Sequence, residues 1–283
     1  MFSNECFGHV QPCSAKLNLS LRVVGLRDDG YHDIVSIFAR VPSGEALVVS
    51  RAEADRVRVS GPMPVPIEGE NTVARALRLA RESGVDAPPL DVEVVKTLYP
   101  GSGLGAGSGN AAALLRWLAL EHMALARRTG ADVPFLLSPH DLALVSGVGD
   151  VIDPLPPLHL HYLVVFPAPS TGMGSVGTSG AYARLDRFAG RRAITEAEAR
   201  EEATLLIRRL AAGEEIGFLP NDFADMLVAE SPSYLDLFGE FRRRGARAWG
   251  ITGSGGAAFA VFGAPIRPLG FAWPFPVRLT LSV

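Results

Sequence analysis

Residues 99–113 read YPGSGLGAGSGNAAA, a glycine-dense turn that runs straight into a helix-forming alanine and leucine segment. Gly101, Gly103, Gly105, Gly107 and Gly109 leave the backbone free to take φ > 0 and to approach another group without a Cβ in the way. Ser108 and Asn110 are the candidate side-chain caps for the helix that begins there, which is expected to run from Asn110 to about Met123. A glycine loop feeding a helix N-terminus gathers unsatisfied amides and the positive end of the dipole, so a phosphate is the first ligand to consider. No Gly-Lys-Ser/Thr closes the string, so it is not a P-loop, and a dinucleotide fingerprint lacks its third glycine at Ala106.

The chain before the loop reads as strands and one helix. Residues 15–24, AKLNLSLRVV, alternate Leu17, Leu19, Leu21 and Val23 with Lys16, Asn18, Ser20 and Arg22, the period-two pattern of a strand with one buried face. Taken alone, its polar face reads as solvated. Asp28-Asp29-Gly30 marks a hairpin turn, with Tyr31 and His32 beside it and strands expected at 34–41, 46–50 and 56–60. Asn71 is placed to cap an amphipathic helix over 72–83, whose arginines at 75, 78 and 81 form a solvated stripe. Residues 90–97 alternate as a strand leading into the glycine loop.

After the loop, Pro134 suits the first turn of a short helix with Asp132 at or beside its cap. Strands are expected at 145–150 and 163–166, and the proline-rich crossing at 153–157 suggests a domain boundary. Residues 167–180, rich in Gly, Ser and Thr, read as a mobile loop. Helices follow at 196–212, from Asn221, and at 234–244. A second glycine cluster, residues 251–256, precedes a strand at 257–262, and the tail ends in a strand-like 277–283.

Composition narrows the function. With 283 residues, 48% apolar and 20% charged, the chain can bury a sizeable core. Lys plus Arg number 27 against 30 Asp plus Glu, a formal charge of −3, which does not suit a nucleic-acid binder. Cys6 and Cys13 cannot staple a fold of this size, which points to a reducing compartment. The N-terminal residues show no signal-peptide pattern and no apolar run reaches membrane-spanning length, so a cytoplasmic protein acting on a small molecule is expected, without nucleic acid or membrane as partner. A monomer and a homodimer are equally open.

Three separated strings, AKLNLSLRVVGLRDDGYH at 15–32, SGLGAGSGNAAA at 102–113 with GADVPF at 130–135, and TGSGGAAFAVF at 252–262, together resemble the GHMP kinase superfamily. Within it, the first string and GADVPF resemble the branch that acts on a cytidine-diphosphate-linked methylerythritol. The resemblance implies an α+β fold of two domains, at 1–155 and 156–283, the first like ribosomal protein S5 domain 2 and the second a GHMP kinase α/β sandwich. It implies ATP and Mg²⁺, and γ-phosphoryl transfer to a tertiary hydroxyl.

Carried over by position, Lys16 and Asp132 match the catalytic pair, the aspartate taking the hydroxyl proton and the lysine stabilising the alkoxide. Pro100, Gly101, Ser102, Gly103, Leu104, Gly105, Ala106, Gly107, Ser108, Gly109 and Asn110 match the ATP phosphate loop, and Asn71 and Lys96 positions near the adenine. Asn18, Tyr31 and His32 match the cytidine side of the substrate, and Gly253, Ser254 and Gly255 the motif that closes on substrate and phosphates. The resemblance assigns no metal ligand. Relatives usually carry a second serine where Gly109 stands, and the segment between Asn110 and Gly130 is short by about two to three helical turns of 3.6 residues. These departures keep one alternative open, a non-catalytic or weakly active nucleotide-binding relative; a second, a kinase for another small alcohol, is one that Tyr31 and His32 argue against.

Overall fold

The computed structural model describes residues 7–62, 70–99, 101–166, 178–188, 190, 193–266 and 277–282. Pro100 and most of the expected 167–180 loop lie outside the described residues. The chain forms two compact units that interleave in sequence, one of Met1–Lys16, Arg40–Pro100 and Gly105–His140, the other of Leu17–Ala39, Gly101–Leu104 and Asp141–Val283.

The first unit holds the start of β1 (Val10–Leu26), up to Lys16, and the second half of β2 (His32–Arg51). β4 (Leu90–Val95) pairs antiparallel with β2 over Ala46–Arg51 and parallel with β3 (Arg56–Ser60). The helix α1 (Thr72–Glu82) starts as its sequence predicts: the Asn71 side chain accepts from the Val73 amide at 2.7 Å, and Val73, Ala76, Leu77 and Ala80 are buried. Its exposed arginines pair with acids, Arg78 with Glu70 and Glu82, Arg81 with Asp55. α2 (Ala106–Trp117) packs on α1 and on the short α4 (Val133–Leu137), and α3 (Met123–Thr129) packs on α1.

The second unit holds the first half of β2, which pairs over Ile34–Ala39 with β5 (Leu142–Gly147); β5 then pairs with β6 (Val151–Pro154). A second sheet follows the order β11-β7-β10-β9-β8, from β7 (His161–Val165), β8 (Gly217–Phe218), β9 (Ala248–Ile251), β10 (Ala258–Phe262) and β11 (Val277–Ser282). Its helices are α5 (Thr178–Leu185), α6 (Glu196–Ala211), α7 (Ala224–Glu230) and α8 (Ser233–Arg243). α6 opens with a capping box between Thr195 and Glu198 and buries Ala199, Ala203, Leu206 and Leu210. The fold is mixed α+β with two sheets, as expected.

Three local expectations are corrected. β2 is one continuous strand where two were expected, and inside it Glu45 is buried with one carboxylate oxygen taking the amides of Thr97 and Leu98. α2 begins four residues early, because Gly105 in the left-handed region (φ 63°) starts it without any side-chain cap, so neither Ser108 nor Asn110 serves as one. It also ends at Trp117, where the positive φ of Ala119 (56°) breaks the path to α3.

Candidate active site

Lys16 sits on the polar side of β1, yet it is only 5% exposed, because β1 is covered on both faces. Its ammonium lies 3.9 Å from an Asp132 carboxylate oxygen. Asp132 stands at the N-cap position of α4 but makes no cap bond, so the helix geometry aims this carboxylate without consuming it. Burial lowers the Lys16 pKa below the ordinary lysine value, and the charge of Asp132 opposes that shift.

Gly105 joins this pair to the opening of α2. A Cβ at that position would come 2.8 Å from the Asp132 carboxylate and 3.3 Å from Lys16 Cε. Within one unit, an acid, an ammonium and an uncapped helix N-terminus therefore share one small space. The first amides of a helix have no internal partner, so they are available to an anion.

The remaining loop glycines have a different reason. Gly109 lies inside α2, and a Cβ there would overlap the Ser14 carbonyl on β1. The missing second serine thus marks a close helix-to-strand approach. Gly107 faces the Thr72 hydroxyl, and Ser108 Oγ lies beside Gly130. Asn110 is buried with its Oδ1 lacking a hydrogen-bond partner.

In the second unit the two glycine clusters pack backbone against backbone. A Cβ on Gly103 would overlap the Thr252 carbonyl, one on Gly253 would meet Gly103 O at 2.9 Å, and one on Gly256 would meet Gly101 O at 2.6 Å. The Ala257 amide donates to Ser102 O at 3.0 Å. Gly255 backs onto Leu227, Leu104 is buried and Ser254 is half-buried.

Asn18 is enclosed as well. Its amide nitrogen donates to Ser36 Oγ at 2.9 Å, its backbone N–H donates to Thr252 Oγ1 at 3.0 Å, and the Ser36 hydroxyl donates to Ser20 O. His32 Nε2 lies 3.0 Å from Asp186 Oδ1, and its ring stacks on Tyr182 at 4.7 Å. Tyr31 is 63% exposed.

Back in the first unit, Lys96 gives its ammonium to Glu45 at 2.7 Å, and Asn71 is occupied in capping α1. Cys13 is buried and its thiol is pushed up to about 12, first by burial and then by Glu45, which makes it unreactive. Glu45, Thr252, Tyr182 and Asp186 were not singled out as site residues from sequence. Thr252 opens a quoted motif and could have been noticed; Asp186 carries no local signal.

Residues 71–151 match the family described as GHMP kinases N terminal domain. The 4-diphosphocytidyl-2-C-methyl-D-erythritol kinase of Porphyromonas gingivalis is 33% identical over 263 residues, 88% of this chain and 90% of the relative. The chain belongs to the 4-diphosphocytidyl-2-C-methyl-D-erythritol kinase family. The kinase of the same name from Chlorobium luteolum is 31% identical, over 88% of this chain and 86% of its own. A crystal structure of 4-(cytidine 5'-diphospho)-2C-methyl-D-erythritol kinase superposes with a TM-score of 0.68 at 29% identity, covering 91% of each chain. This chain is thus a small-molecule kinase of the GHMP type. Among the described residues no helix is long and apolar enough to cross a membrane.

Proposed function

We propose that this kinase transfers the γ-phosphoryl group of ATP to the 2-hydroxyl of 4-diphosphocytidyl-2-C-methyl-D-erythritol, a step of the non-mevalonate isoprenoid route, in the cytoplasm. The observation that carries the reading is the Lys16–Asp132 pair set against Gly105 at the opening of α2. Asp132 accepts the proton of the acceptor hydroxyl as its oxygen bonds to the γ-phosphorus and the bond to the ADP oxygen breaks. Lys16 counters the negative charge that develops on the attacking oxygen, and the α2 amides take the charge of the phosphates.

The loop from Pro100 to Asn110 serves the triphosphate in this reading, Asn71 and Lys96 lie on its adenine side, and Asn18, Tyr31 and His32 serve the cytidine side. Gly253, Ser254 and Gly255 close on both. Mg²⁺, when bound, neutralises phosphate charge. Among the described residues there is no group of three His, Cys, Asp or Glu that could hold a metal.

The test is ADP release by the purified protein with ATP and Mg²⁺, comparing the cytidine substrate with other small alcohols such as homoserine. Turnover confined to the cytidine compound is expected. ATP binding without turnover would favour the non-catalytic alternative, and turnover of another alcohol would favour the other.

A further inference from the structure

His32 is held in a way that its assigned part in substrate binding does not by itself explain. Its side chain is 8% exposed, its ring lies on Tyr182, and Tyr182 in turn meets Phe223 edge-on at 5.0 Å and 90°. Both oxygens of Asp186 approach the same ring nitrogen, Nε2, at 3.0 and 3.2 Å. Asp186 follows Tyr182 by one helical turn, its amide donating to Tyr182 O at 3.0 Å, so the stacking ring and the carboxylate arrive on one rigid piece of chain.

A carboxylate only accepts hydrogen bonds, so the nitrogen facing it must carry the hydrogen. A neutral imidazole has one N–H; once Nε2 holds it, Nδ1 is a lone-pair acceptor and nothing else. The two pyrimidine bases differ at the matching edge. Cytosine offers an exocyclic amino donor where a uracil-type base offers a carbonyl acceptor.

The geometry points to Asp186 as a positioning residue that fixes the His32 tautomer and so makes the substrate site select a cytosine-bearing over a uracil-bearing diphosphate. This rests on the reading of His32 as a cytidine-side residue. An acceptor facing the amino group gains a hydrogen bond, while an acceptor facing a carbonyl leaves both groups without one. Asparagine at the same place can donate to Nε2 and move the ring hydrogen to Nδ1, removing the preference.

The experiment has two arms. The first records ¹⁵N shifts of the His32 ring nitrogens in the wild-type protein and in Asp186→Asn, at about pH 8.5, above the ordinary histidine range. The wild type is expected to show hydrogen on Nε2 and a bare Nδ1, and the variant the reverse; hydrogen on Nδ1 in the wild type overturns the inference. The second measures kcat/KM for the cytidine-linked substrate and its uridine-linked counterpart. Asp186→Asn is expected to lower the preference for cytidine by about tenfold to a hundredfold, mostly through KM, and Asp186→Glu to keep it.

An unchanged preference in Asp186→Asn overturns the inference. A wild type inactive on the cytidine substrate overturns the proposed function instead, while the ¹⁵N arm still decides the tautomer. If Asp186→Asn fails to fold, the wild-type spectrum and the Glu variant decide.

Discussion

A lysine on a strand covered on both faces loses much of the hydration that favours its ammonium form, and the charge of Asp132 restores part of that at Lys16. The Lys16 proton therefore leaves at lower pH than it would in water. Because the unfolded chain holds that proton more tightly, the penalty this group places on folding shrinks as pH rises toward the ordinary lysine value. In the proposed mechanism activity moves the other way, since the rate there depends on the ammonium. A kcat–pH profile is expected to fall on its alkaline side below about pH 10.4, and Lys16→Arg to push that fall upward; an alkaline limb unaffected by the substitution would contradict the assignment.

Gly109 gives a second test at this scale. Gly109→Ser places a Cβ on the Ser14 carbonyl, so β1 and α2 must part. A loss of about 2 kcal/mol is expected, seen as a fall in Tm of about 4–8 °C. An unchanged Tm would show that the helix and the strand have room to spare.

At the scale of elements, the short α4 carries Asp132 at one end and is clamped at the other. The Arg40 guanidinium donates to the carbonyls of Phe135, Leu136, Ser138 and His140, and Arg116 donates to Leu136 O at 2.6 Å. Arg40→Met leaves those half-buried carbonyls short of donors. A cost of about 1–3 kcal/mol is expected in urea unfolding, together with a lower kcat as Asp132 loses its footing; a full kcat would separate the clamp from the chemistry.

Element types were legible in the sequence where local rules act alone, as at the Asn71 cap of α1 and the helix expected at 196–212. They were misread where tertiary contacts decide. The alternation of residues 15–24 describes one apolar face, and nothing local says that Lys16, Asn18 and Ser20 are covered as well. The start of α2 depends on a left-handed Gly105, which the four neighbouring loop glycines made impossible to single out.

For the whole molecule, the site residues were legible mainly as strings shared with a family, because Lys16 and Asp132 are 116 residues apart and no periodicity links them. Gly103, Gly253 and Gly256 look alike in sequence to Gly105, yet these three are accounted for by backbone packing, whereas Gly105 lies against the Lys16 and Asp132 side chains. Asp186 is joined to His32 across 154 residues, out of reach of any local reading. If the chain binds nucleotide as proposed, ATP at about a hundred times its Kd adds about 2.7 kcal/mol to folding, so Tm should rise by about 5–10 °C. No shift at saturating ATP would remove the nucleotide from the account.

The most direct test is the steady-state rate of ADP release for Asp132→Ala beside the wild type, with both proteins shown to be folded by circular dichroism. A fall in kcat of at least about a hundredfold, with the fold retained, is the expected result for a base that takes the acceptor proton. A variant that is folded and turns over within about threefold of the wild type would contradict it.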